Sequence, residues 1–162
     1  MKGDAKVVGY LNEALKHELT AVNQYWLHYR LLDNWGIKKL ADKWRAESIE
    51  EMRHADIIIA RILFLEGSPS MQTLGKLHIG SDVGEIIGND LRAEMEARSL
   101  YVEAAFHANA VKDFVTRDLF ETLLSSEEGH IDFLETQNDV IARIGVERYM
   151  ASRLGELGGE SA

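Results

Sequence analysis

Two copies of a Glu-x-x-His motif carry the residues of this chain that are best suited to binding a metal ion. They are Glu51-Met52-Arg53-His54 and Glu127-Glu128-Gly129-His130. On a helix, side chains three residues apart project from one face, so the carboxylate and imidazole of each motif can hold the same ion. With 17 Glu and 6 His in 162 residues, random placement yields about 0.6 such pairs, so the motif alone is a weak signal.

A constant offset relates the two motifs and extends to other positions. Glu51 and Glu127 are 76 residues apart, as are His54 and His130. The offset also pairs Glu18 with Glu94, Tyr25 with Tyr101, Leu15 with Leu91, Trp44 with Phe120 and Ile58 with Leu134. The pattern is typical of a helix pair used twice, and it predicts a pseudo-twofold axis. We expect that axis to bring together Glu18, Glu51, His54, Glu94, Glu127 and His130.

The chemistry of this set favours two divalent metal ions. Four carboxylates nearly neutralise two such ions. Without a partner, each buried carboxylate would lower the stability of the fold by several kcal/mol, on the order of the cost of removing a charge from water. Mixed nitrogen and oxygen ligands suit iron or manganese. Any one of the six taken alone is more often satisfied by a neighbouring polar side chain. We expect Tyr25 and Tyr101 to bond the buried carboxylates, with electron donation a further hypothesis for Tyr25.

The elements that position these residues are four long helices. Apolar periodicity predicts helices over about 4–33, 37–66, 82–108 and 112–144 and a short one over 146–154, with a frayed tail at 155–162. The turn at 34–36 makes the first two helices antiparallel neighbours, and 67–81, which holds the only proline, predicts a long crossover. We therefore predict an all-α fold, a single ferritin-like four-helix bundle spanning 1–162 with a short fifth helix.

Composition excludes several classes of function. The chain has no cysteine, which excludes disulfides and thiolate metal sites, and its net charge of −9 disfavours a nucleic-acid partner. We find no cleavable signal pattern and no apolar run of membrane-spanning length, so we expect a cytoplasmic protein without a membrane partner.

A second apolar face lies on the first two predicted helices, away from the inward stripe. It consists of Leu19, Trp26, Leu31, Ile49, Met52, Ile59 and Leu63. Such a face predicts a buried contact between subunits. On spacing alone, Met52 is a packing residue rather than a metal ligand. The histidines without a repeat partner (His17, His28, His78 and His107) are expected at the surface or in structural roles.

The sequence resembles bacterioferritins over essentially its whole length up to the C-terminal tail. The resemblance runs from MKGDAKVVGYLNEALKHEL through ESIEEMRHAD to SSEEGHIDFLETQ, and EEMRHAD is specific because a Met follows the first Glu of the motif. It implies that Met52 binds haem b from two subunits across a twofold axis, within a hollow 24-subunit homo-oligomer. It also implies a ferroxidase that uses O2 or H2O2 and stores the ferric product. Glu18 with His54 would hold one iron, Glu94 with His130 the other, and Glu51 and Glu127 would bridge. A small ferredoxin would supply electrons for release.

Two departures from the family pattern concern the metal region. Some members carry an extra iron site on the cavity side of the second helix, where this chain has Ala46 and Glu50, so we do not expect that site here. Gly129, inside the second motif, is an unfavourable helix residue, and we hypothesise that it lets the His130 segment move.

The sequence is also compatible with other classes of protein. A haem-free bacterial ferritin would share the oxidation chemistry, and a manganese-using relative has the same ligand types. A rubrerythrin-like peroxidase normally adds a cysteine-rich segment, which this sequence lacks. A non-catalytic helical assembly protein would instead pair its buried carboxylates with Arg and His.

Overall fold

The computed structural model describes residues 1–157 and consists of four long helices and one short helix. These are α1 (Ala5–Asn34), α2 (Lys38–Phe64), α3 (Val83–Ala110), α4 (Phe114–Ile144) and α5 (Val146–Ala151). Helix α1 packs mainly on α2 and α3 mainly on α4, with a further contact between α1 and α3. The described part of the chain contains no strand, and the predicted all-α class with a short fifth helix is confirmed.

Capping side chains account for where three of the long helices begin. Asp4 accepts a hydrogen bond from Val7 N at the start of α1, and Asp113 accepts one from Thr116 N at the start of α4. At α3, Asp82 accepts from Glu85 N at 2.8 Å, as a capping box requires. The reciprocal bond differs from the standard box, because the Glu85 carboxylate accepts from Ser81 N and Ser81 Oγ.

Helix α2 ends two residues earlier than its periodicity predicts. Glu66 has a φ of +61°, which takes the backbone out of the helical region. Gly67 N then bonds Ile62 O at 2.9 Å, and a side chain at Gly67 would collide with Val8 and Ile62. The chain therefore leaves α2 through a tight turn that lies directly against the neighbouring helices.

The apolar core forms two clusters, one toward each end of the bundle. One cluster includes Leu11, Leu15, Ile58, Ile62, Tyr101, Phe120 and Leu123, and the other includes Leu32, Leu40, Trp44, Ile86, Ile87, Leu134 and Tyr149. On α2, α3 and α4, the predicted polar residues fall between the part that enters one cluster and the part that enters the other. On α1, Glu18 lies beside Leu19, the last α1 residue of the first cluster. The two apolar clusters thus enclose a polar layer at mid-height.

The crossover between α2 and α3 is held to α1 by a ladder of polar contacts. Backbone N–H groups of the crossover donate to side chains of α1, from Ser70 to Asn12 (2.8 Å), Gly75 to Thr20 (2.8 Å), His78 to Gln24 (2.9 Å) and Gly80 to His28 (2.9 Å). A segment without regular structure gains its backbone partners in this way.

The C-terminal segment closes one end of the bundle. Helix α5 stops at Ala151 rather than at the predicted 154, because Arg153 O and Leu154 O accept hydrogen bonds from Lys39 N and Lys38 N at the start of α2. Residues 155–157 are not helical, and positions 158–162 of the predicted frayed tail lie outside the described residues. Within residues 1–157, no helix is both long and apolar enough to cross a membrane.

Candidate di-metal site

The structure brings all six predicted side chains together in the polar layer. They come from four helices and belong to two overlapping groups whose potential ligand atoms lie within 4.8 Å of one another. The first group is Glu18, Glu51, His54 and Glu127, and the second is Glu51, Glu94, Glu127 and His130. Glu51 and Glu127 are common to both, which is the placement that bridging carboxylates between two ions require.

The two imidazole rings each lie close to carboxylates of the cluster. His54 Nδ1 lies 3.6 Å from Glu18 Oε2 and 3.7 Å from Glu127 Oε1. His130 Nδ1 lies 3.2 Å from Glu51 Oε1 and 3.4 Å from Glu94 Oε1. The ring centroids are 6.3 Å apart, with an interplanar angle of 23°. Each histidine therefore presents Nδ1 to its own group of oxygens.

Several buried polar atoms of these residues have no hydrogen-bond partner within the protein. Among residues 1–157, the buried side-chain nitrogen and oxygen atoms without a hydrogen-bond partner belong to Glu18, Glu47, Glu51, His54, Glu127 and His130. A buried polar atom that loses water and gains no partner costs about 1–3 kcal/mol. Cations placed between the carboxylates would satisfy all of these atoms except Glu47 Oε2, which faces His130 Nε2 instead. The donor set therefore fits two divalent ions.

Two tyrosines each donate a hydrogen bond to one carboxylate of the cluster, in the symmetric manner that the offset predicts. Tyr25 Oη donates to Glu94 Oε1, and Tyr101 Oη donates to Glu18 Oε1. Burial, followed by the charges of the neighbouring carboxylates, raises the pKa of both tyrosines well above the ordinary value. Each hydroxyl therefore keeps its proton, and the two hydroxyls hold the carboxylates of Glu94 and Glu18 in place.

Burial and crowding of like charges control the protonation of the metal-free cluster. Burial first, and then the charges of Glu18 and Glu94, raise the pKa of Glu51 well above its ordinary value. Burial opposes a charge on His130, but the carboxylates of Glu47 and Glu94 beside its two ring nitrogens outweigh that effect and raise the pKa of His130 to about 10. Without metal, the cluster thus carries protons that the ions must displace.

Glu47 and Glu50 add two carboxylates that the offset does not predict. Glu47 Oε2 lies 2.6 Å from His130 Nε2, although the two groups are not aligned as a hydrogen bond, and Glu50 Oε1 lies 3.5 Å from His54 Nε2. Both belong to α2, where Glu47 lies one turn before Glu51 and Glu50 lies one turn before His54. Glu50 therefore faces His54 at the edge of the cluster, and the exposed Ala46 contributes no ligand atom.

Met52 lies outside the cluster, on the second apolar face. Its side chain is 42% exposed, and Trp26 and Leu63 on the same face are 40% and 59% exposed. None of the four unrepeated histidines joins the six residues. His28 is fully buried in a structural network, whereas His78 is exposed.

Comparison with known proteins agrees with this architecture. A family model described as a ferritin-like domain matches residues 8–144. The chain is 56% identical over 149 residues to a bacterioferritin of Brucella melitensis biotype 1, with 92% of each chain covered. It is 54% identical over 145 residues to a bacterioferritin of Rhodobacter capsulatus, with 90% of each covered. A bacterioferritin of Mycolicibacterium paratuberculosis is 46% identical over 93% of this chain and 95% of its own. Since both the family model and these identities span nearly the whole described fold, the chain belongs to the bacterioferritins, within the ferritin-like family.

Proposed function

We propose that this protein oxidises ferrous iron at the six-residue cluster and stores the ferric product. Its membership of the bacterioferritins supports iron storage as the general role. The observation that carries the oxidation step is the set of buried, unpartnered carboxylate and imidazole atoms at the meeting point of two overlapping ligand groups. A purely structural cluster would leave no such atoms, because each costs folding free energy.

Each residue has a part in this reaction. Glu18 and His54 bind one ferrous ion, Glu94 and His130 bind the other, and Glu51 and Glu127 bind both. Four carboxylates balance the charge of two ferrous ions.

The electron balance requires an oxidant that takes two electrons. Two ferrous ions, one molecule of hydrogen peroxide and two protons give two ferric ions and two molecules of water. With dioxygen, the same two electrons and two protons give hydrogen peroxide. Tyr25 and Tyr101 hold Glu94 and Glu18 in position during the reaction.

The proposal extends to a homo-oligomer with haem at its twofold contacts. The partly exposed Met52 side chain lies on an apolar surface. A symmetric dimer formed through that surface, with its axis beside Met52, would bring two such sulfurs together. Bis-methionine ligation of haem b fits this donor set. Haem supplies one-electron transfer for reductive release of iron, with a small ferredoxin as the reductant. A shell of 24 subunits is the assembly that the family resemblance implies.

Anaerobic titration of the metal-free protein with ferrous iron, followed by dioxygen or hydrogen peroxide, tests the oxidation. We expect saturation at about two irons per subunit, as in ferritin-like di-iron proteins, and rapid oxidation that Glu18→Ala abolishes. Glu13→Ala removes an exposed carboxylate of the same helix and keeps full activity. The proposal is overturned if iron binding does not saturate, or if Glu18→Ala leaves iron oxidation unchanged. Either result points to a non-catalytic assembly protein.

The absorption spectrum of the purified protein tests the haem part separately. A Soret band that Met52→Leu abolishes supports the methionine-bound haem. Iron oxidation without such a band identifies a haem-free ferritin and overturns only the haem part.

A further inference from the structure

Trp44 lies directly behind the cluster and carries a polar contact that its pseudo-symmetric counterpart Phe120 cannot make. Its side chain is 1% exposed, and its indole Nε1–H donates to Asp90 Oδ2 at 2.7 Å. Its ring packs edge-on against Phe133, with centroids 6.0 Å apart. A buried indole N–H normally finds an acceptor, and here that acceptor is a fully buried carboxylate.

Asp90 is a fully buried acceptor with three donors around it. Gln24 Nε2 lies 2.7 Å from Oδ1, and His28 Nδ1 lies 2.9 Å from Oδ2. His28 Nε2 accepts from Gly80 N, so the ring proton is on Nδ1 and His28 is a neutral donor. Asp90 thus faces donors alone, in an interior where its charge acts strongly on nearby groups.

Trp44 shares one narrow space with residues of the cluster. The indole lines a cavity of about 10 Å³ together with Tyr25, Glu47, His130 and Phe133. This volume is at the lower limit for a single water molecule. On α3, Asp90 lies one turn before Glu94, the carboxylate that Tyr25 bonds. The indole therefore meets the site through side chains rather than through solvent.

We propose that Trp44 donates an electron to the iron site when the oxidant demands more electrons than the bound ferrous iron supplies, and that Asp90 accepts its indole proton. This inference rests on the proposed ferroxidase function. The Asp90 carboxylate stabilises positive charge on the indole, because opposite charges attract strongly in a low-dielectric interior. A buried tryptophan paired with a carboxylate thereby becomes easier to oxidise than one that faces solvent.

The step balances when a single ferrous ion meets hydrogen peroxide. One electron leaves the ferrous ion, which becomes ferric, and the second leaves the Trp44 indole. The O–O bond breaks, and two protons from solvent complete two molecules of water. The indole N–H proton passes to Asp90, which leaves a neutral tryptophan radical. The next ferrous ion returns an electron to the indole, and Asp90 returns the proton.

An electron from Trp44 would complete the reduction of the oxidant at the site, so no reactive intermediate would leave it. A half-filled site without a second donor would release a one-electron-reduced oxidant into the protein or the solvent. Of the other tryptophans, Trp26 is 40% exposed but lies on the apolar face proposed as the subunit contact, whereas Trp35 is 38% exposed and lies outside that face. Trp35 would therefore react first with an oxidant that diffuses freely. Selective oxidation of the buried Trp44 therefore distinguishes donation at the site from random damage.

The test loads the whole protein with less ferrous iron than fills the site, adds hydrogen peroxide and freezes the mixture for electron paramagnetic resonance. We expect a radical whose hyperfine pattern changes when the protein contains deuterated tryptophan, and which Trp44→Phe abolishes while Trp35→Phe retains it. Peptide mapping of the wild-type protein after repeated cycles is expected to find oxidation at Trp44 ahead of Trp26 and Trp35. The mapping needs no variant, so it holds even if Trp44→Phe perturbs folding.

The outcomes separate this inference from the proposed function. Iron oxidation without a tryptophan radical, or with a radical that responds only to deuterated tyrosine, overturns the role of Trp44 and leaves the ferroxidase intact. Oxidation at Trp26 and Trp35 ahead of Trp44 overturns it as well. Absence of any iron oxidation overturns the proposed function, and the inference with it.

Discussion

Glu47 Oε2 lies 2.6 Å from His130 Nε2, on the side of the ring opposite the cluster. The other ring nitrogen, Nδ1, faces Glu51 and Glu94. Glu47 is itself held by Lys43, whose Nζ lies 2.6 Å from Oε1. A carboxylate behind a metal-binding imidazole fixes the orientation of the ring and raises its basicity. The Glu94 and His130 half of the site is therefore supported from outside by α2.

Replacing Glu47 is expected to weaken this half of the site. Glu47→Gln keeps the size of the side chain but removes its charge, so we expect metal affinity to fall by about 10–100-fold, the usual effect of losing an outer partner of a ligand. Titration with Co²⁺, followed by its visible spectrum, measures the affinity. Glu121→Gln changes an exposed carboxylate on α4 and serves as the control. Equal affinities for Glu47→Gln and the wild type would show that the contact does not support His130.

Metal binding is expected to release protons and to strengthen as the pH rises. The pKa of His130 is raised to about 10, so its ring carries a second proton near neutral pH in the metal-free protein. Burial and neighbouring carboxylates also raise the pKa of Glu51, which favours its protonated form. A metal ion needs both groups deprotonated, so it must displace these protons. Raising the pH removes them in advance and increases the affinity.

Zn²⁺ titration in weakly buffered solution with a pH indicator measures this release. We expect the affinity to increase from pH 6 to pH 8 and Glu51→Gln to release fewer protons than the wild type. Zn²⁺ is used because it does not change oxidation state. An affinity that is flat over this range would contradict the protonation state inferred for the metal-free cluster.

The sequence predicts the architecture and the six clustered residues because both depend on repetition. Long apolar periodicity defines each helix, and the 76-residue offset requires that Glu18 and Glu94 occupy equivalent places once the helix pairs are related by a pseudo-twofold axis. The tyrosine contacts follow from the same symmetry, since Tyr25 and Tyr101 each bond the glutamate of the other half.

Features that break the symmetry could not be predicted in this way. Glu47 corresponds to Leu123 under the offset, so the second half of the chain holds no counterpart to its contact with His130. Asp90 corresponds to Ala14, and one of its donors, His28, is oriented by a backbone N–H of the irregular crossover. The path of a segment without periodicity depends on tertiary contacts, which a search for helical patterns does not detect.

Gly129 tests whether flexibility beside His130 matters. A Cβ added at Gly129 would meet no atom within 4 Å, so alanine fits without strain. Because glycine in a helix interior costs about 1 kcal/mol relative to alanine, Gly129→Ala is expected to stabilise the protein by about that amount. Gly88 in α3 is equally open, and Gly88→Ala is the matched control.

The two alanine variants separate stability from function. Urea unfolding is expected to show similar stabilisation for both, while hydrogen exchange at the His130 amide and the rate of iron mineralisation fall only in Gly129→Ala. Mineralisation kinetics that remain unchanged in Gly129→Ala would remove the support for a mobile His130 segment.

Asp113 gives a prediction about stability that does not involve metal. It caps α4 through Thr116 N at 3.0 Å and accepts from Arg61 Nη2 at 2.8 Å. Burial works against its charge, but the bonds from Thr116 and the charge of Arg61 outweigh it and lower the pKa of Asp113 below its ordinary value of 3.8. Because the folded-state pKa is depressed, the ionised group stabilises the fold above the unfolded-state pKa. That contribution is lost as the pH falls through the folded-state value.

Two substitutions at Asp113 separate the cap from the charge. Asp113→Ala is expected to cost about 1–2 kcal/mol at pH 7, the usual penalty for losing a helix N-cap. Asp113→Asn keeps a capping oxygen, so its smaller deficit reflects the charge. That deficit is expected to shrink as the pH falls below the unfolded-state value of 3.8 and to vanish below the folded-state pKa. Urea unfolding between pH 7 and pH 3 measures both, with Asp118→Asn, at a side chain 65% exposed, as the control. A deficit of Asp113→Asn that persisted undiminished at the lowest pH would mean that it arises from shape or packing, since protonation would already have removed the charge from the wild type.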